Sequence, residues 1–347
     1  MNDKPRILTL SVWLLLCAGM IVVMALIGAI TRLTESGLSI MVWEVFRGVI
    51  PPLSEADWQR YFQTYQRTDE FKLDNPNMDL EGFKQIFWWE WVHRFWGRLI
   101  GFVFIVPLVW FWLRSLLPSW LKRHLLAALL LGALQGVIGW YMVYSGFGER
   151  TDVSQYRLAL HLAIALLLYV YLLWLVLRLN ETGHTAQSTP QAARYALVTF
   201  ALVSFTIISG AFVAGLNAGN LYNAFPTMGG GRLLPIEYAE LKPYWRNWFD
   251  NAAAVQFNHR LLATLTVFIA LLCGAFGARN STGVVHRFFI LMVFVAVLQY
   301  GLGILTLLSG VNIQLASAHQ GGAIILLGLS LASWYSARNA RRHSKFQ

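Results

Sequence analysis

Four histidines stand inside or at the ends of long apolar runs: His93, His161, His259 and His319. They form two pairs separated by similar stretches of chain. A lone histidine within a membrane span often does no more than hydrogen-bond a neighbouring helix. Two matched pairs point further, because ionisable residues in such spans are costly and mark functional sites, and helix bundles build cofactor sites from side chains on facing helices. Neutral imidazole is a standard axial ligand for haem iron. A planar macrocycle held by one histidine from each of two helices fits both pairs. Zinc fits less well, since it usually takes three or four ligands including carboxylate or thiolate. The two cysteines, Cys17 and Cys273, fall inside apolar runs and read as small apolar residues. His124, His184, His286 and His343 lie in short polar links or the tail, where a solvated role is expected.

Charged neighbours sharpen the pattern. Arg94 and Arg260 directly follow His93 and His259, and Arg98 lies four residues beyond Arg94 on the same helical face. Arginine pairs bidentately with carboxylates, so these three are candidate partners for haem propionates, against the simpler reading of snorkelling to the headgroups. Glu90 stands one turn before His93 in EWVH, whereas QFNH places Gln256 one turn before His259. A carboxylate beside a haem can move protons or stabilise developing positive charge, and an amide cannot transfer protons readily. Chemistry is therefore expected in the N-terminal half, with Glu90 as its catalytic group, and a redox or structural haem in the C-terminal half.

The elements that must position these residues are membrane helices. The chain has 347 residues, 57% hydrophobic and 13% charged, with a net charge of +10, where soluble domains carry about 25% charged residues. An ordinary cytosolic enzyme, a disordered chain and a nucleic-acid binder are excluded. A bilayer core requires roughly 20 apolar residues per helix, and eight runs qualify, near 8–30, 91–113, 122–144, 157–179, 194–216, 256–277, 284–309 and 312–336. Only a short charged stub precedes the first, so an uncleaved N-terminal helix and a bacterial inner-membrane location are expected. Lys and Arg are retained on the cytoplasmic side. The termini and the 2–3, 4–5 and 6–7 links carry thirteen of the 27 Lys and Arg but only two of the 17 acids, Asp3 and Glu181, which puts both termini in the cytoplasm and the histidine pairs toward the periplasm. The outer side holds two long insertions, beginning GAITRLTESGLSI at Gly28 and GAFVAGLNAGNLYNAFP at Gly210; loops of this length are usually functional or carry structure of their own. Trp88, Trp89, Trp91, Trp245 and Trp248 cluster before spans two and six, as interfacial indoles do.

An internal repeat organises the whole. LQGVIGWYMVYSG, from Leu134, aligns without gaps to LQYGLGILTLLSG, from Leu298, sharing Leu-Gln, the second Gly and the final Ser-Gly; His93-Arg94 matches His259-Arg260, and His161 matches His319. A four-helix repeat gives two halves of the same orientation, related by an axis along the membrane normal. The expected fold is an all-α polytopic membrane protein of two pseudo-twofold-related four-helix bundles, residues 1–180 and 194–347.

At these residues the chain resembles the heme A synthase family, in its cysteine-free alpha-proteobacterial and mitochondrial type. The segments TRLTESGLSI, PPL from Pro51, FKQIFWWEWVHRFWGRLIG, VAGLNAGNLYNAFPTM, WFDNAAAVQFNHR and ASAHQ carry the resemblance across nearly the whole chain. It implies oxidation of the C8 methyl of haem O to a formyl group, through an alcohol and a gem-diol, giving haem A for cytochrome oxidase. It further implies His259 and His319 as ligands of a resident haem b, with Arg260 beside them; His93 and His161, with Arg94 and Arg98, flanking the substrate haem; and Glu90 as the essential carboxylate. Haem O would come from the lipid bilayer, with a haem O synthase farnesyltransferase as a partner and no nucleic acid involved. The outer-loop cysteine pair of some family members is missing here. The competing expectations are a dihaem electron-transfer cytochrome without substrate chemistry and a parallel-repeat transporter.

Overall fold

The computed structural model describes residues 4–42, 47–146, 151–181 and 186–342. Its helices are α1 (Lys4–Leu33), α2 (Glu55–Tyr65), α3 (Asp69–Leu73), α4 (Leu80–Leu113), α5 (Ser119–Tyr144), α6 (Gln155–Leu179), α7 (Pro190–Gly215), α8 (Asn247–Asp250), α9 (Ala252–Arg279), α10 (Gly283–Leu308) and α11 (Ile313–Asn339). All but α2, α3 and α8 are long and apolar enough to cross a membrane, which makes eight among the described residues. The protein is an all-α polytopic membrane protein. Its described strands are β1 (Gln187–Ser188) and β2 (Arg341–Arg342), which pair in parallel.

Helix starts follow the polar punctuation of the sequence. Asp79, Thr189 and Asn251 cap α4, α7 and α9 by accepting from the backbone N–H three residues on, satisfying donors that a helix start otherwise leaves open. The apolar run predicts a span from residue 91, yet α4 begins at Leu80. Its first eleven residues form an amphipathic extension that puts Phe83, Phe87 and Glu90 on one stripe, which continues to Arg94.

The chain divides into two compact units, Met1–Val22 with Leu166–Gln347, and Val23–Ala165. These boundaries fall inside α1 and α6 and follow packing, whereas the division into 1–180 and 194–347 follows the sequence repeat. In the first unit α9 packs on α7 and α10, and α11 packs on the same two helices, closing a four-helix ring. Small residues allow the approach: Gly277 lies under the Phe289 ring, and Ala192, Ala196 and Ala270 are fully buried. In the second unit the insertion after α1 folds over the start of α4. Trp58, Phe62, Tyr65, Phe83 and Phe87 form its aromatic core with Ile40, the rings meeting at 4.9 Å for Trp58 and Phe87 and 5.3 Å for Phe62 and Phe83. This cap anchors the stripe that carries Glu90.

Backbone conformation repeats between the halves as well. At offset 182, Gly28 aligns with Gly210, and Glu35 with Asn217. Glu35 and Asn217 both adopt left-handed conformations, with φ of 53° and 51°.

Candidate haem sites

Each of the four histidines lies on a glycine of a neighbouring helix. A Cβ on Gly210 would fall 3.1 Å from His259 Cε1, and one on Gly303 would fall 2.8 Å from His319 Cε1. The N-terminal pair repeats the arrangement, at 3.0 Å between Gly139 and His161 Cε1 and 3.4 Å between Gly28 and His93 Nε2. Helix-facing glycines thus cut four notches that hold imidazoles while leaving the rings partly exposed. Within each pair the two histidines lie near enough to interact electrostatically.

A glutamine serves the second member of each pair. Gln299 Nε2 lies 2.7 Å from the His319 carbonyl oxygen and 2.9 Å from Nδ1; Gln135 Nε2 lies 3.1 Å from the His161 carbonyl oxygen and 3.2 Å from Nδ1. Oε1 of both glutamines is buried and unpartnered among the described residues, so each retains an unused acceptor beside its histidine. The first members differ. Ser209 Oγ lies 2.7 Å from His259 Nδ1, while Ile27 occupies the equivalent position beside His93.

The arginines brace the loops that follow α1 and α7. Arg94 donates to the Ile40 and Val42 carbonyls at 2.7 and 3.0 Å, and Arg260 donates to Tyr222 and Ala224, the equivalent positions, at 2.6 and 2.8 Å. The simpler reading of arginines snorkelling into headgroups misses this role. Arg260 Nε is buried and unpartnered among the described residues, and Arg94 and Arg98 line one small cavity with Tyr61 and Trp91.

Glu90 and Gln256 occupy matching buried positions with opposite polarity. Glu90 Oε2 accepts from Ser39 Oγ at 2.8 Å and from the Ile40 N–H at 2.7 Å, and Oε1 pairs with Arg94 at 2.5 Å. Gln256 instead donates from Nε2 to the Tyr222 carbonyl at 3.1 Å. The second unit therefore holds a fully coordinated carboxylate where the first holds a neutral amide.

Cys17 is fully buried and Cys273 half-buried, both as free thiols. His124 and His286 fall near the starts of α5 and α10 rather than in links; exposed His286 has Nδ1 2.8 Å from the Ala278 carbonyl oxygen, and His124 meets the Trp120 ring edge-on. His184 and His343 fall outside the described residues. Among the described residues no three His, Cys, Asp or Glu side chains gather as a metal-ion set. A metal held by one of these pairs would take its remaining ligands from outside these side chains, as haem iron does from its macrocycle. The glycine notches, which leave the imidazoles partly exposed, fit such a group.

The family model described as cytochrome oxidase assembly protein, COX15-CtaA, matches residues 11–331. The chain belongs to the COX15-CtaA family. Relatives named heme A synthase match nearly end to end: one from Rhodospirillum centenum is 51% identical over 92% of this chain and 86% of the relative. One from Granulibacter bethesdensis is 45% identical over 98% and 90%, and one from Agrobacterium fabrum 45% identical over 96% and 91%. For this COX15-CtaA chain the sequence marked the histidines, arginines and Glu90. It did not mark Ser39 or Ser209, and Gln135, Gln299, Gly139 and Gly303 stood in the repeat without a role.

Proposed function

We propose that this protein is a membrane oxidoreductase that converts haem O to haem A, oxidising the C8 methyl to a formyl group for cytochrome oxidase assembly. Membership of a family whose relatives are named heme A synthase supports the reaction. The observation that carries its placement is the asymmetry between Glu90 and Gln256 on otherwise matching His-Gly-Gln-Arg frames.

In this reading His93 and His161 flank the substrate haem in the half formed by residues 1–180, and His259 and His319 hold haem b in residues 194–347. Haem b, when bound, supplies one-electron transfer. Arg94, Arg98 and Arg260 orient the propionates. Oxidation of a methyl to an aldehyde releases protons, and Glu90 is the carboxylate placed to take them or to stabilise positive charge at the reacting carbon. Ser39, the Ile40 N–H and Arg94 hold that carboxylate in one orientation. The farnesyl tail of haem O stays in lipid or on apolar helix faces as the substrate enters from the bilayer, delivered by a farnesyltransferase partner. The protein lies in the bacterial inner membrane with both termini cytoplasmic and both haem sites toward the periplasm.

The test replaces Glu90→Gln and identifies extracted haems by mass spectrometry, with and without a source of haem O. The variant is expected to retain haem b and yield no haem A. Normal haem A output would overturn the assignment.

A further inference from the structure

Ser209 stands one residue before the glycine on which His259 rests, and its hydroxyl has two contacts. Its Oγ lies 2.8 Å from the Thr206 carbonyl oxygen and 2.7 Å from His259 Nδ1. A hydroxyl carries one hydrogen. The Thr206 carbonyl, which also lies near enough to interact with the His259 ring, can only accept, so that hydrogen points to Thr206, and the serine lone pair then accepts from His259 Nδ1–H. This places the imidazole hydrogen on Nδ1 and leaves the Nε2 lone pair free, the state in which histidine ligates a metal. An acceptor on the far nitrogen also fixes the ring's orientation and raises its basicity as a ligand.

The N-terminal half lacks this brace. Offset 182 places Ile27 where Ser209 stands, and Met24 where Thr206 stands. Among the described residues no hydrogen bond holds the His93 ring. Apart from Glu90 and Gln256 the two frames agree, down to the glycine notch and the arginine on the loop carbonyls. The difference matches the demands of the two sites, since a cofactor stays whereas a substrate haem must be released once oxidised.

We infer that Ser209 is a positioning residue that locks His259 as a permanent haem ligand, and that its replacement by Ile27 in the other half keeps the His93 site exchangeable. The inference rests on the reading of His259 and His319 as the haem b pair. Ser209 favours the ferric state by making the imidazole a stronger donor, so its loss raises the haem midpoint potential.

The experiment uses the full-length haem-loaded protein in detergent. Haem b loss is followed by transfer to excess apomyoglobin, and the midpoint potential by spectroelectrochemical titration, for wild type, Ser209→Ala, Ser209→Thr and His259→Ala. Ser209→Ala is expected to lose haem b roughly tenfold faster, the lower end for removal of an outer partner of a metal-bound histidine, and to titrate at a higher potential. Ser209→Thr, which keeps the hydroxyl, is expected to match wild type. Equal loss rates and potentials in Ser209→Ala and wild type would overturn the inference, as would a Ser209→Thr that behaves like Ser209→Ala. His259→Ala separates this outcome from failure of the underlying reading: if that variant keeps wild-type haem b, the site assignment itself falls.

Discussion

An imidazole resting on a glycine tolerates no methyl group where the approach is closest, and the four notches are graded. The point where a Cβ would sit is 2.8 Å from the His319 ring at Gly303, 3.0 Å from His161 at Gly139, 3.1 Å from His259 at Gly210 and 3.4 Å from His93 at Gly28. Carbon contacts are optimal near 3.5–4.0 Å, so alanine at Gly303 must displace its histidine while alanine at Gly28 nearly fits. Gly303→Ala is accordingly expected to bind less haem b per protein than Gly210→Ala, and Gly139→Ala to make less haem A than Gly28→Ala. Haem quantification on purified variants checks both orders, and equal losses within a pair would contradict the notch geometry. These glycines and glutamines were legible as shared letters of the repeat, because Gln135 and Gln299, like Gly139 and Gly303, recur at one spacing. Their task was not legible, since it depends on which helix faces which. The Ile40 N–H that binds Glu90 leaves no trace in a sequence at all, because every residue but proline carries that donor.

At the scale of elements, the insertion before α4 determines where Glu90 points. Its length announced a structured loop, but α2, α3 and the early start of α4 were hidden. Their apolar residues alternate with charges such as Asp57, Glu81 and Lys84, so a search for uninterrupted apolar runs passes over them. The cap buries one acid, Glu70, in α3. Burial, reinforced by the nearby Glu90 charge, pushes the Glu70 carboxyl up to about 8 from an ordinary value of 4.5. Asp74 and Glu35 add to the rise, and the hydrogen bond from Tyr65 opposes it. The native state therefore holds a proton that the unfolded chain has already released across this interval, and stability falls as pH rises through it. The contribution is complete below about 4.5 and lost above about 8. Amide exchange in α2 and α3, corrected for the intrinsic pH dependence, is expected to show protection declining over that window. Glu70→Gln should flatten the decline; an equally steep decline in the variant would assign it to another group.

For the whole molecule, the decisive quantity is the distribution of charge between the two sides. The basic excess belongs almost wholly to the termini and the 2–3, 4–5 and 6–7 links, while the two long insertions and the short links on the other side are nearly neutral. Positive charge resists translocation, so the basic set is expected inside and both histidine pairs are expected to face out. The indoles agree with an outer boundary at the starts of α4 and α9: Trp88, Trp89, Trp245 and Trp248 are exposed, whereas Trp91 turns inward to stack on Phe95 at 5.0 Å. Under the proposed function orientation has chemical weight, because it would decide from which compartment protons leave Glu90 and on which side haem A is delivered. A cysteine placed at exposed Arg232, in the second insertion, and one at exposed Ser119, in the 2–3 link, report it directly. In a background free of Cys17 and Cys273, Arg232→Cys is expected to react with a membrane-impermeant maleimide in intact spheroplasts, and Ser119→Cys only after lysis. The opposite pattern would invert the protein and move its oxidation chemistry to the cytoplasmic face.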